Sequence, residues 1–185
     1  MASCSKPEAC HLTSRWLSVA TPPEICQHSP YPGRGNTISS TYLGLYYHAI
    51  FSTKNREPFI KPEWHSQLHG YLIGTIVGLE GRSIAVGGTA DHVHLLVELK
   101  ATHRLADFMR DLKKASSSWV HETIPLTDFG WQDGYACLTV GASALAIVQR
   151  YVENQEEHHR NRSFREEVLI LLRRSGIEVD ERYFD

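Results

Sequence analysis

Asp91-His92-Val93-His94-Leu95-Leu96-Val97-Glu98-Leu99 reads as a buried strand into which two imidazoles have been set. Side chains alternate faces along a strand, so His92 and His94 leave on one side and Val93 on the other. A run this apolar belongs inside a sheet, so its neighbours must pair with it or cover it. Imidazoles in a sheet interior are costly unless partnered. Two of them aimed at one spot make half of a metal site.

Working outward, Gly87-Gly88-Thr89-Ala90-Asp91 is a turn, and Ser83–Val86 reads as the preceding strand. Before it, Trp64, Leu68, Tyr71, Leu72, Ile76 and Leu79 keep helical spacing from Pro62, well suited to a helix start, to about Glu80. Tyr42–Ser52 is aromatic and β-branched enough for a strand, ending at the polar Thr53-Lys54-Asn55-Arg56. Downstream, Leu105, Phe108, Met109, Leu112, Ser116, Trp119 and Val120 mark an amphipathic helix. A short strand, Ala136–Val140, follows the loop around Pro125. A third helix is expected from Ser143, as N-cap, past Tyr151 to about His158, and Ser163 with Glu166 forms a capping box for a last helix to Arg174. Strand, helix, strand, strand, helix, strand is the ferredoxin-like split βαβ layout. The expected fold is therefore α+β, with a central antiparallel sheet, helices mainly on one face and extra C-terminal helices.

At 185 residues the chain is long enough for one domain with a real core, and its 42% hydrophobic and 22% charged residues are globular values. Residues 1–40 hold five of the eight prolines and keep no steady period, so they are expected to form a poorly ordered extension, with at most one short helix near Leu12–Ala20, ahead of a domain at 41–185. No apolar run approaches the roughly 20 residues that span a bilayer, and the first 30 residues lack a signal peptide's apolar core; a cytoplasmic location is expected. Cys4, Cys10 and Cys26 sit in the extension and Cys137 stands alone in the domain, which is no disulfide framework. The net charge of −2 does not exclude a nucleic-acid partner, because local patches decide binding. Basic residues gather at Lys54, Arg56 and Lys61, at Arg104, Arg110, Lys113 and Lys114, and at Arg160, Arg162 and Arg165.

Two imidazoles plus oxygen ligands suit Mn²⁺, Zn²⁺ or Mg²⁺. The third ligand is open at this point. Asp91 sits at the turn. Glu98 shares the histidines' parity but lies about 13 Å beyond His94 at strand rise. Gln155 serves only if the third helix packs over the histidine face. On that helix Tyr151 and Gln155 are four apart and share a side, which His158 and His159 extend.

His-Val-His on a strand, then Trp131-Gln132-Asp133-Gly134-Tyr135, then Tyr151-Val-Glu-Asn-Gln155-Glu-Glu-His158-His159, resembles the HUH-class single-tyrosine transposases of bacterial insertion sequences. Phe51-Ser-Thr-Lys-Asn-Arg56 and Gly176-Ile-Glu-Val-Asp180-Glu-Arg-Tyr183 belong to the same likeness, which runs over about Tyr42 to Tyr183. Val152, where isoleucine is common, and Leu138, in place of a usual aromatic, depart from it. The resemblance implies that His92 and His94 bind a divalent ion, Mg²⁺ or Mn²⁺, with Gln155 as third protein ligand and Tyr151 as nucleophile. It also implies a single-stranded DNA hairpin as partner, and a homodimer in which the tyrosine helix of one subunit completes the other's site. Attack by the phenol would leave a 5′-phosphotyrosine and a free 3′-hydroxyl. Arg150 or Lys54 would help the phenol lose its proton. Lys54, Arg56, Arg110, Lys113 and Lys114 are the candidates for phosphate contacts, and Trp131 and Tyr135 either stack bases or belong to the core. Three other readings compete: a water-using His-x-His phosphodiesterase, a non-catalytic single-stranded nucleic-acid-binding module, and a host-retained relative acting on repeated hairpins.

Overall fold

The computed structural model describes residues 42–158 and 163–179. The expected extension at 1–40, its helix and its three cysteines, together with His159, Arg160, Arg162 and the ending from Asp180, lie outside the described residues. Four strands form one antiparallel sheet: β1 (Tyr46–Ser52), β2 (Arg82–Gly88), β3 (His92–Glu98) and β4 (Ala136–Val140), in the order β2-β3-β1-β4. With α1 (Pro62–Gly78) between β1 and β2, and α2 (Leu105–Thr123) between β3 and β4, this is the expected split βαβ arrangement. β3 lies inside the sheet, where an apolar run gains most; Ile50 of β1 stands opposite His94, and Ser52 opposite His92.

The period of two divides the sheet's side chains between two layers. Ala49, Phe51, Val93, Leu95 and Val97 face the main core with Leu68, Leu72 and Ile76 of α1 and Phe108, Met109, Leu112 and Val120 of α2. Each of these large side chains, taken from water, contributes roughly 1.5–3 kcal/mol, which fixes the two long helices on that face. Buried Ser116 of α2 is satisfied: it accepts from Trp131 Nε1 at 2.9 Å and donates to Leu112 O at 2.8 Å. Trp131 thus belongs to the core, whereas Tyr135 is 39% exposed.

The other face carries His48, Ile50, His92, His94 and Leu96, all buried. It is covered by the C-terminal elements α3 (Leu145–Glu153), α4 (Gln155–His158) and α5 (Phe164–Arg174). The long helices do share one face as expected, and the extra ones roof the opposite face. Two boundaries differ from expectation. Ser143 is not an N-cap: it sits in a tight turn closed by Ala144 N–H to Gly141 O (2.9 Å), and α3 begins only at Leu145 without a side-chain cap. The helix also breaks at Asn154 (φ −107°, ψ 31°), so Tyr151 and Gln155 fall on two short segments. The capping box forms as read, with Ser163 and Glu166 reciprocally bonded at the start of α5. No helix of the described residues is long and apolar enough to cross a membrane.

Candidate metal and tyrosine site

Both strand histidines are fully buried, and each has one ring nitrogen held by a neighbour. His92 Nδ1 lies 2.7 Å from Asp91 Oδ1 and 2.9 Å from Thr89 Oγ1, which itself donates to Asp91 Oδ1. A carboxylate accepts only, so it fixes the proton on Nδ1 and leaves the Nε2 lone pair for another partner. Asp91 therefore serves the histidine from behind. Glu98 is spent at the far end of the strand, bound to Arg82.

His94 Nδ1 lies 2.9 Å from His48 Nε2. Burial holds the His48 ring neutral, its pKa lowered to about 4. A neutral ring can accept at Nε2, which lets His94 donate from Nδ1 and present Nε2 forward. One nitrogen of His92, one of His94 and one carboxylate oxygen of Glu167 lie within 4.8 Å of one another. Glu167 is 4% exposed, and its Oε2 is 3.7 Å from His94 Nε2. Burial pushes its carboxyl up to about 7. Two imidazoles and an oxygen donor fit a divalent cation. Gln155 is 1% exposed, donates from Nε2 to Tyr151 O at 3.2 Å, and keeps a buried Oε1 that has no hydrogen-bond partner among the described residues. That orphaned acceptor is a further oxygen donor on the segment joined to Tyr151.

Tyr151 arrives from α3. Its ring centre is 5.9 Å from those of both His94 and His48, each edge-on, and its hydroxyl donates to Glu167 Oε1. The approach depends on Gly87 of β2, paired with His94: a Cβ there would meet Val152 O at 1.8 Å. Only glycine admits the helix backbone this close. Phe164 of α5 closes the far side, its ring 4.3 Å from His92.

The expected cation beside the phenol is replaced by an acid. Arg150 is exposed and bonds Ala146 O at 3.4 Å, and Lys54 is exposed in the turn after β1. Glu167 was the residue missed from sequence, although a signal existed: it interrupts the apolar stripe of Phe164, Val168, Leu171 and Leu172 on α5. His48 could have been found the same way, as a polar residue on the strand face shared by Ile50.

The basic candidates lie apart from the histidines. Arg56 shares a cavity with Gln132, Tyr135 and Phe164. Arg110, Lys113 and Lys114 line a second cavity with Trp131 and Tyr135. Lys113 is half-buried and donates to the carbonyls of Gln132, Asp133 (3.1 Å) and Gly134 (3.0 Å), while burial lowers its pKa. Arg110 is held by Asp107 (2.6 Å) and Asp111 (3.0 Å). Lys54 and Lys114 are exposed.

Fold and site together define a ferredoxin-like domain whose sheet carries a paired-imidazole centre faced by a tyrosine. Residues 41–155 match the family described as "Transposase IS200 like", and the chain belongs to that family. It is 31% identical over 121 residues to the ISDra2 transposase TnpA of Deinococcus radiodurans, covering 61% of this chain and 85% of the relative. It is 27% identical over 131 residues to the transposase of insertion sequence IS200 from Salmonella typhimurium, covering 68% and 86%. A crystal structure of a transposase from Deinococcus radiodurans R1 superposes with a TM-score of 0.52 at 29% identity, over 68% of this chain and 97% of that one.

Proposed function

We propose that this transposase cuts and rejoins single-stranded DNA through a covalent 5′-phosphotyrosine on Tyr151. The observation that carries the reading is the meeting of the Tyr151 hydroxyl, His94 and Glu167 in one buried cluster. His92, His94 and Gln155 would hold the ion, Mg²⁺ or Mn²⁺, with Asp91 and His48 fixing the two rings from behind. When bound, the ion neutralises a phosphate oxygen and eases attack at phosphorus. The phenolic oxygen forms a bond to phosphorus as the bond to the 3′ oxygen breaks, and that oxygen leaves as a hydroxyl. The phosphodiester's energy is kept, so a second 3′-hydroxyl can reverse the step and join a new strand. Metal-activated water would instead end the reaction by hydrolysis, which gives the tyrosine its purpose.

The partner in this reading is a DNA hairpin, with Lys54, Arg56 and Lys114 of the expected basic set on its phosphates and Tyr135 against an unstacked base, while Arg110 and Lys113 are engaged within the chain. In the chain described here Tyr151 meets the histidines of its own subunit. Exchange of α3 between two copies would build the same set across a homodimer. A chromosome-acting enzyme of this kind works in the cytoplasm. Incubation with labelled single-stranded hairpin DNA and Mn²⁺, followed by a denaturing gel, tests the chemistry. Wild type should give a protein–DNA adduct that Tyr151→Phe abolishes while hairpin binding stays within about threefold. Cleavage persisting in Tyr151→Phe would leave the phosphodiesterase reading in its place.

A further inference from the structure

We propose that Glu167 is a shared positioning residue, one carboxylate oxygen holding the Tyr151 hydroxyl while the other belongs to the ion site of His92 and His94. The proposal rests on the reading of that site given above. Its two halves are separate contacts of one side chain: Oε1 accepts from Tyr151, and Oε2 stands 3.7 Å from His94 Nε2. The residue occupies a position on α5 flanked by Val168 and Leu172, where an acid is expensive to bury. A glutamine would accept the same phenolic hydrogen bond without that cost, so the bond alone does not account for an acid here. A divalent ion does. Two neutral imidazoles and the amide of Gln155 bring no charge to it, and Glu167 is the acid that joins the two histidines within ligand distance among the described residues. Hard cations select oxygen donors and gain most from anionic ones. The same carboxylate then fixes where the phenolic oxygen lies relative to the ion, across a helix break at Asn154 that would otherwise loosen α4 from α3. α5 thereby enters the site, although the family match ends at residue 155.

The test separates the halves with two substitutions in the full-length chain, their folding checked by circular dichroism. Mn²⁺ binding is measured by electron paramagnetic resonance, and adduct formation at saturating Mn²⁺. Glu167→Gln keeps the acceptor but removes the charge: Mn²⁺ affinity should fall at least tenfold, with a smaller loss of adduct rate at saturating Mn²⁺ than in Glu167→Ala. Glu167→Ala removes both and should also slow adduct formation at least tenfold at saturating Mn²⁺. His92→Ala calibrates the loss of the ion site. Mn²⁺ affinity in Glu167→Gln within twofold of wild type overturns the proposal, as does a wild-type adduct rate in Glu167→Ala. The Mn²⁺ comparison decides the ionic half whether or not the wild type forms an adduct, so failure of the transferase reading is seen separately.

Discussion

Two buried titratable side chains and one half-buried one give this protein a pH dependence whose sign can be worked out group by group. His48 and His69 are both held down to about 4 by burial, His65 adding repulsion at His69, whereas in the unfolded chain each titrates near 6.5. Between those values the unfolded state takes up protons that the folded state refuses, so stability is lost as pH falls from about 6.5 to 4. Glu167 acts in the opposite sense: its folded value near 7 stands above an unfolded value of 4.5, so its contribution is complete below 4.5 and is lost as pH rises through 7. His69 lies on α1, its ring 4.0 Å from that of His65 and outside the cluster of His92, His94 and Glu167, which makes it the cleaner probe. Urea titrations at pH 7 and pH 4.5 should show the stability difference shrinking by roughly 1–2 kcal/mol in His69→Leu. The same titrations should show it growing in Glu167→Gln, where the opposing acid is gone. An unchanged difference in His69→Leu would remove that histidine from the acid response.

At the scale of elements, the decisive contact is α3 lying on β2 through Gly87. Adding a single methyl there drives it into the carbonyl of Val152, so Gly87→Ala should displace the tyrosine helix and lower stability by about 1–3 kcal/mol. Because His92 and His94 sit on β3 and Glu167 on α5, the variant should keep part of its Mn²⁺ binding, weakened by the displacement of Gln155, while losing most adduct formation. Equal loss of both activities would mean that the sheet itself had failed. This contact also shows where sequence reading runs out. α1 and α2 were legible because each repeats its apolar residues at a period of 3.6 and buries them against one core, and β3 because its continuous apolar run belongs inside a sheet, buried on both faces. The capping box of α5 was legible because its two partners are three residues apart. The break at Asn154 and the late start of α3 were not, since both are settled by docking on the sheet and not by local spacing. Glu167 escaped for the same reason: nothing local in α5 says that its acid meets a phenol sixteen residues earlier in the chain.

Across the described residues of the molecule, two of the cations expected to meet a DNA strand are already engaged. Lys113 spends its donors on three carbonyls of the 132–134 loop, and Arg110 is held between Asp107 and Asp111. Arg56 and Lys114 line cavities that have Tyr135 in common, an exposed aromatic shared by the walls of both. A single strand following those walls would place phosphates by Arg56 and Lys114 and a base on Tyr135. Each phosphate contact on a single strand changes the slope of log K against log salt by about 0.7. Arg56→Ala and Lys114→Ala should therefore each weaken hairpin binding and flatten that slope by about 0.7, and Tyr135→Ala should weaken binding with the slope intact. Lys113→Ala should differ in kind: freeing three carbonyls costs roughly 1–3 kcal/mol of stability, with a slope close to wild type. Fluorescence anisotropy between 50 and 300 mM salt, beside thermal melts of each variant, reads both quantities. A full slope change in Lys113→Ala with none in Arg56→Ala or Lys114→Ala would move the DNA path off these two cavities.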